Sequence, residues 1–128
     1  MTVATLREIR EDIATAVSAE LQCFDKLPAA PIPPFAVVMW PSVIEFDLTL
    51  SGLSTYSIPL TIYVSLADVD SGQDALDGFI SGDIREAIYA AESPHWRNVN
   101  IESVTNIRPE TIGSTSCLAA DFNLTIIA

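Results

Sequence analysis

Between Val3 and about Cys23 the apolar residues Leu6, Ile9, Ile13, Val17 and Leu21 recur at steps of three and four, while Arg7, Glu8, Arg10, Glu11 and Asp12 take the other faces. One apolar stripe with a period near 3.6 predicts an amphipathic helix over about 3–23. KLPAAPIPPF then places Pro28, Pro31, Pro33 and Pro34 within seven residues. Missing donors and fixed φ angles exclude helix there and predict a stiff, extended crossing over about 27–34. The following AVVMW is a continuous apolar run stopped by Pro41, the pattern of a short buried strand.

The period next falls to two. Ile44, Phe46, Leu48 and Leu50 alternate with Glu45, Asp47 and Thr49, and Tyr56, Ile58, Leu60, Ile62, Val64 and Leu66 alternate with Ser57, Pro59, Thr61, Tyr63 and Ser65. Two half-buried strands follow, joined through SGLST as a hairpin over about 43–66 whose tip stands clear of the core. Pro59 cannot donate to a ladder, so its N side belongs at an edge or a bulge. Over about 72–91 the helical period returns, broken at Gly82. Ser71 with Asp74, and Asp83 with Glu86, read as capping pairs for two short helices or one kinked helix. Two more strands are expected within about 99–127, one over about 99–107 and one over about 117–127, the last with Leu118, Ala120, Phe122, Leu124 and Ile126 on one face. The order is α-β-β-β-α-α-β-β. It predicts an α+β fold in one domain, 1–128, with helices packed on a largely antiparallel or mixed sheet of about five strands.

Composition narrows the function classes. The chain has 128 residues, 49% of them hydrophobic, and a mean hydropathy of +0.35. That is enough for one core, yet no apolar run approaches the roughly 20 residues of a membrane helix. A soluble protein is expected, and the polar start MTVATLREIREDIA does not resemble an export signal. Seventeen acidic against six basic residues give a formal charge of −11, which repels a nucleic acid backbone. The bases are scattered as Arg7, Arg10, Lys26, Arg85, Arg97 and Arg108. Cys23 and Cys117 lack metal-ligand spacing and are expected as free buried thiols.

Candidate chemistry is sparse. Asp68, Asp70 and Asp74 suggest a calcium loop, but counting from Asp68 puts Gly72 at position 5 in place of 6 and Phe79 at the bidentate position 12. Helix entry explains them better. Phosphate-loop, dinucleotide, zincin and hydrolase-elbow motifs are absent. His95 follows Ser93-Pro94 in a turn, where loop packing is the ordinary role. Glu45 and Asp47 share a strand face that reads as a solvated surface, although paired carboxylates can act as acid and base. Trp40 and Trp96 flank element ends, as packing residues or interface anchors. No catalytic residue, metal site or cofactor site is expected.

Taken in order, the amino-terminal helix, LPAAPIPPFAVVMWPSVIEFDLTL, the hairpin, IYVSLADVDSGQDALDGFISG, the helix DIREAIYAA and the terminal strand ending near LTIIA resemble the tail terminator proteins of long-tailed bacteriophages, especially those of actinobacterial hosts. The most specific pieces are the PP-x-A-V-V-like crossing and the run from Val64 and Ser65 through Asp68, Gln73, Leu76, Asp77 and Phe79. The resemblance implies a non-enzymatic structural protein of the virion neck, assembled in the host cytoplasm. It implies a homohexameric ring that stops tail-tube growth, meets the tail tube protein and the head-completion proteins, and lets DNA pass an acidic lumen unbound. The hairpin tip Ser51, Gly52, Leu53, Ser54 and Thr55, with Trp40 and Trp96, is the expected assembly interface. Alternatives are another neck component, a stopper or adaptor, and more remotely an acidic calcium- or small-ligand-binding module or an enzyme using His95.

Overall fold

The computed structural model describes residues 5–24, 32–46, 54–66, 69–91, 96, 98–112 and 114–128, with Val69, Ser71 and Asp83 in the backbone only. Helix α1 spans Leu6–Val17. Its start is fixed by a capping box: the Glu8 amide donates to the Thr5 hydroxyl at 3.2 Å, and the Thr5 amide donates to the Glu8 carboxylate at 3.1 Å. Such a cap contributes about 0.5–2 kcal/mol. The helix ends nearly two turns before the expected limit near Cys23. Ser18 donates to the Ala14 carbonyl at 2.6 Å, and the chain turns into strand β1, Gln22–Phe24. Leu21 continues the apolar period because it packs into the core from that turn. A ladder with the next strand then overrides the weak helix propensity of three residues.

β1 runs parallel to β2, Phe35–Val38, whose four residues are all buried, as the continuous apolar run predicts. The long strand β4, Thr55–Ser65, takes both β2 and the short β3, Val43–Glu45, along one of its sides. Val38 faces Leu60 and Val43 faces Ser57, so Met39–Ser42 stand opposite only Ile58 and Pro59. β2 and β3 are therefore one strand interrupted at Trp40-Pro41. The Met39 amide donates to the Pro59 carbonyl at 2.9 Å and the Ser42 amide to the Ser57 carbonyl at 2.8 Å across the gap. Pro59, with no donor to give, sits opposite the break, the bulge position expected of it.

On its other side β4 pairs with β6, Thr115–Ile127, and β6 pairs with the edge strand β5, Asn98–Ile112. The six-stranded mixed sheet has the order β1-β2-β4-β6-β5, with β3 beside β4. This is the α+β arrangement read from the sequence, with β1 added.

Helices cover one face. Ile9, Ile13 and Val17 of α1 meet Ile58, Leu60, Ile62, Ala120, Phe122, Leu124 and Ile126 of the central strands in the main core. Leu76 of α2, Val69–Gly78, joins them, as do Ile84 and Ile88 of α3, Ile84–Ala90. Between α2 and α3 lies a π-type turn, Phe79–Asp83, with its break at Gly82 as expected. The pairing of Ser71 with Asp74 as a cap does not hold: α2 begins at Val69, so both lie inside the helix. Asp83 closes the π turn and Glu86 is exposed in the first turn of α3. Gly72 has a packing reason instead, because a Cβ there would lie 2.5 Å from the Ser65 carbonyl oxygen.

The opposite face carries a small apolar cluster of Phe35, Val37, Tyr63, Cys117 and Ala119. Phe35 stacks on Tyr63 with centroids 4.7 Å apart. Beyond it the face turns polar toward β5, whose pairing with β6 is shifted between Ile101 and Ser103 and again between Thr105 and Arg108.

Candidate assembly surface

The interrupted strand β2–β3 places large apolar side chains in water. Ile32 is 80% exposed, Trp40 70%, Phe46 69% and Val43 48%. These are four of the six large hydrophobic residues exposed among those described, and all lie within 32–46. Pro41 causes this locally: it ends the β2 ladder, so Trp40 leaves the buried row that precedes it. Beyond the break only Ile44 of β3 turns toward the core, while Val43 and Glu45 are exposed. Phe46, expected on the buried face with Ile44, lies past the end of β3 and is exposed. Among the described residues no strand pairs with the outer side of β3.

Trp40 is held in place. The Arg10 guanidinium carbon lies 4.8 Å from its ring centroid, and Arg10 Nη2 donates to the Val38 carbonyl at 3.2 Å. One arginine thus links α1, the end of β2 and an exposed indole, a contact worth about 0.5–1 kcal/mol. A pre-positioned Trp beside an Arg is the composition of an interface anchor, since little side-chain entropy is left to lose on binding.

The other expected interface residues divide. Ser51, Gly52 and Leu53 lie outside the described residues, as does His95. Ser54 is not at a free tip: it is only 8% exposed, and its backbone exchanges hydrogen bonds of 2.8 and 3.0 Å with Ala128. Thr55 is the first residue of β4, opposite Ile127 of β6. Both belong to the sheet because the β6 ladder extends to the chain's last residue. Trp96 is half-buried against the main core, so of the two indoles Trp40 alone is largely exposed. Periodicity missed Val43 and Phe46, and Ile32 drew no notice within the proline-rich crossing. The available signal was Trp-Pro interrupting an apolar run at a strand edge.

The polar part of the open face centres on Asp121. Its carboxylate accepts from the buried Thr61 hydroxyl at 2.8 Å, from Arg108 Nη1 at 3.3 Å and from Asn106 Nδ2 at 3.3 Å. Arg108 also bonds Glu110 at 3.1 Å. Burial opposes the charge on Arg108, but Asp121 and Glu110 outweigh it and move its pKa upward. Burial, reinforced by Glu110, pushes the Tyr63 hydroxyl up to about 12 and raises the Cys117 thiol. Cys117 lines an open depression of about 370 Å3 with Leu66, Pro109, Glu110, Thr111 and Ser116. A thiol held protonated is a poor nucleophile. Asp70, Asp74 and Asp77 are exposed on α2. Among the described residues no group of three or more His, Cys, Asp or Glu is placed to hold a metal ion, and no helix is long and apolar enough to cross a membrane. Neither known protein-family models nor curated protein sequences match the chain.

Proposed function

We propose that this chain is a structural virion-assembly protein of the tail-terminator kind, a homohexameric ring that caps the tail tube and meets the head-completion proteins. The observation that supports this is the run of exposed apolar side chains along 32–46, namely Ile32, the Arg10-braced Trp40, Val43 and Phe46, the last three in or beside β3, whose outer side is unpaired among the described residues. An edge of that composition favours association over persistence as a monomer. If the edge meets a different surface of the next copy, the contact is heterologous, and such contacts close into a ring when the rotation between copies closes and otherwise run on as a filament. With −11 formal charges per copy, a ring lumen would repel DNA and let it pass. The role requires no reaction, cofactor or membrane. It places the protein in the neck of the virion after assembly in the host cytoplasm.

The test is mass measurement across concentration, with and without purified tail tubes. Hexamers that form on concentration or at tube ends are expected. A monomer at every concentration that leaves tube ends bare would remove the proposal, and binding to heads in place of tubes would reassign the protein to the stopper or adaptor class.

A further inference from the structure

The two shifts in β5 have a combined consequence. Asn98 to Ile101 pair with β6 in one register, Ser103 to Thr105 are displaced by one residue, and Arg108 to Ile112 by one more. Two single displacements restore the original facing. Val99, Ile101 and Val104 pack on the main core, and Ile112 packs on the opposite face. A strand that kept the register of its carboxy-terminal half throughout would be free of bulges and would alternate correctly at both ends. It would set Ile101 against Ile126, Ser103 against Leu124, Thr105 against Phe122 and Ile107 against Ala120. The observed register instead sets Val104 against Phe122 and leaves Ile107 56% exposed. The two arrangements thus exchange one buried aliphatic side chain for another. The straight one also buries the Ser103 and Thr105 hydroxyls.

We propose that β5 is a two-register strand, in which side-chain latches select the bulged register over a straight one. The latches act on the shifted residues. Asn123 Nδ2 donates to Ser103 Oγ at 3.0 Å and to Thr105 Oγ1 at 2.9 Å. Asn106 Nδ2 donates to Asp121 at 3.3 Å, and its own carbonyl accepts from Arg108 at 2.8 Å. On the outer side, the Tyr89 hydroxyl of α3 accepts from the Ile101 amide at 2.9 Å and donates to Asn100 Oδ1 at 3.2 Å. A slip of two residues carries Ile101 about 6.8 Å along the strand, out of reach of Tyr89. It also straightens the outer edge up to Pro109, and straight unpaired edges recruit strands where bulged ones do not.

Tyr89→Phe with Asn123→Ala removes latches from both sides while keeping the aromatic ring and every buried apolar contact. In the full-length chain, NMR relaxation dispersion should show exchange confined to Asn98–Ile107. The slipped population should rise on the order of tenfold over the unmodified chain, and its cross-peaks should place Thr105, not Val104, on the Phe122 ring. Adding Ile107→Ser removes the apolar gain of the straight register and should suppress the exchange; Tyr89→Phe alone should give a smaller effect of the same kind. A single register with Val104 on Phe122 in every variant would overturn the proposal. Loosening spread equally over β4 and β6 would do the same, because the latches would then be ordinary stabilising bonds.

Discussion

The sheet has two outer sides, and they are built to opposite specifications. β5 is 15 residues long, the greater hazard by length alone, yet it carries two bulges, Pro109, the charged Glu102, Arg108 and Glu110, and the Tyr89 hydroxyl on its Ile101 amide. Each of these impedes pairing with another chain. β3 has only three residues and its own guards in Pro41 and the exposed Glu45, but it is flanked by the exposed apolar side chains of Trp40 and Phe46. The long side carries features that discourage pairing, and the short side carries exposed apolar side chains, which is what the proposed assembly role calls for.

The strongest way to break this comparison is to substitute both sides in parallel. Trp40→Ala with Phe46→Ser should weaken self-association or tube binding by about 2 kcal/mol or more, roughly thirtyfold. Folding stability should change by less than about 1 kcal/mol, since only the exposed cation–π contact with Arg10 is lost. Glu102→Lys on the β5 side should leave association unchanged. Sizing by sedimentation velocity decides, and equal losses from the two sides would remove the distinction.

Fold-level damage should look different, because it lowers both sides together. Gly72→Ala places a methyl group 2.5 Å from the Ser65 carbonyl oxygen, so α2 or the end of β4 must shift, at a cost of about 1–3 kcal/mol. Urea denaturation should report that loss without a selective effect on association.

Alkali should act on the open face. Tyr63 has its pKa raised from 10.0 to about 12, so the folded state holds this proton more tightly than the unfolded chain. Its contribution is complete below the unfolded value near 10 and is lost as pH climbs through the folded value. The contribution is at most about 2.5 kcal/mol. The raised Cys117 thiol acts in the same direction. Urea midpoints measured from about pH 9 to 12 should fall, and Tyr63→Phe should flatten part of the slope.

The smallest expected effect sharpens the picture of the guarded side. Asn106 has φ 59°, a left-handed conformation that costs most side chains about 1–2 kcal/mol and glycine very little. Asn106→Gly relieves that strain but loses the bond to Asp121, so its melting point should stay within a few degrees of the unmodified chain. Asn106→Val loses the bond and increases the strain, and should melt clearly lower.

Much of this architecture was legible in residue order. The stripe of Ile9, Ile13 and Val17, the alternation from Tyr56 to Leu60 and from Ala120 to Ile126, and the break at Gly82 appear where the pattern predicts, because burial on one face imposes its period on the sequence; the alternation fails at Thr61, Tyr63 and Ala119, which are buried on the other face. The capping box of Thr5 and Glu8 was missed, and the helix starts at Leu6 in place of about residue 3, although T-x-x-E ahead of the stripe is its signal. The candidate surface was only partly so. Trp40 could be singled out as an aromatic beside a proline, but Ser54 looked like an exposed tip because nothing local tells that Ala128 pairs with it.

Periodicity and proline placement, then, determined by themselves the helix or strand type of the longer segments, the face that α1, β4 and β6 turn to the main core, and that Pro59 belonged at an edge or a bulge. They could do so because those constraints act between residues a few positions apart. The tertiary structure alone decided that β2 and β3 are one broken strand along β4, that Gln22–Phe24 joins the sheet in parallel, and that β5 is bulged twice. Each of these depends on a partner strand remote in sequence, whose ladder and side chains outweigh the weak local preferences of the few residues involved.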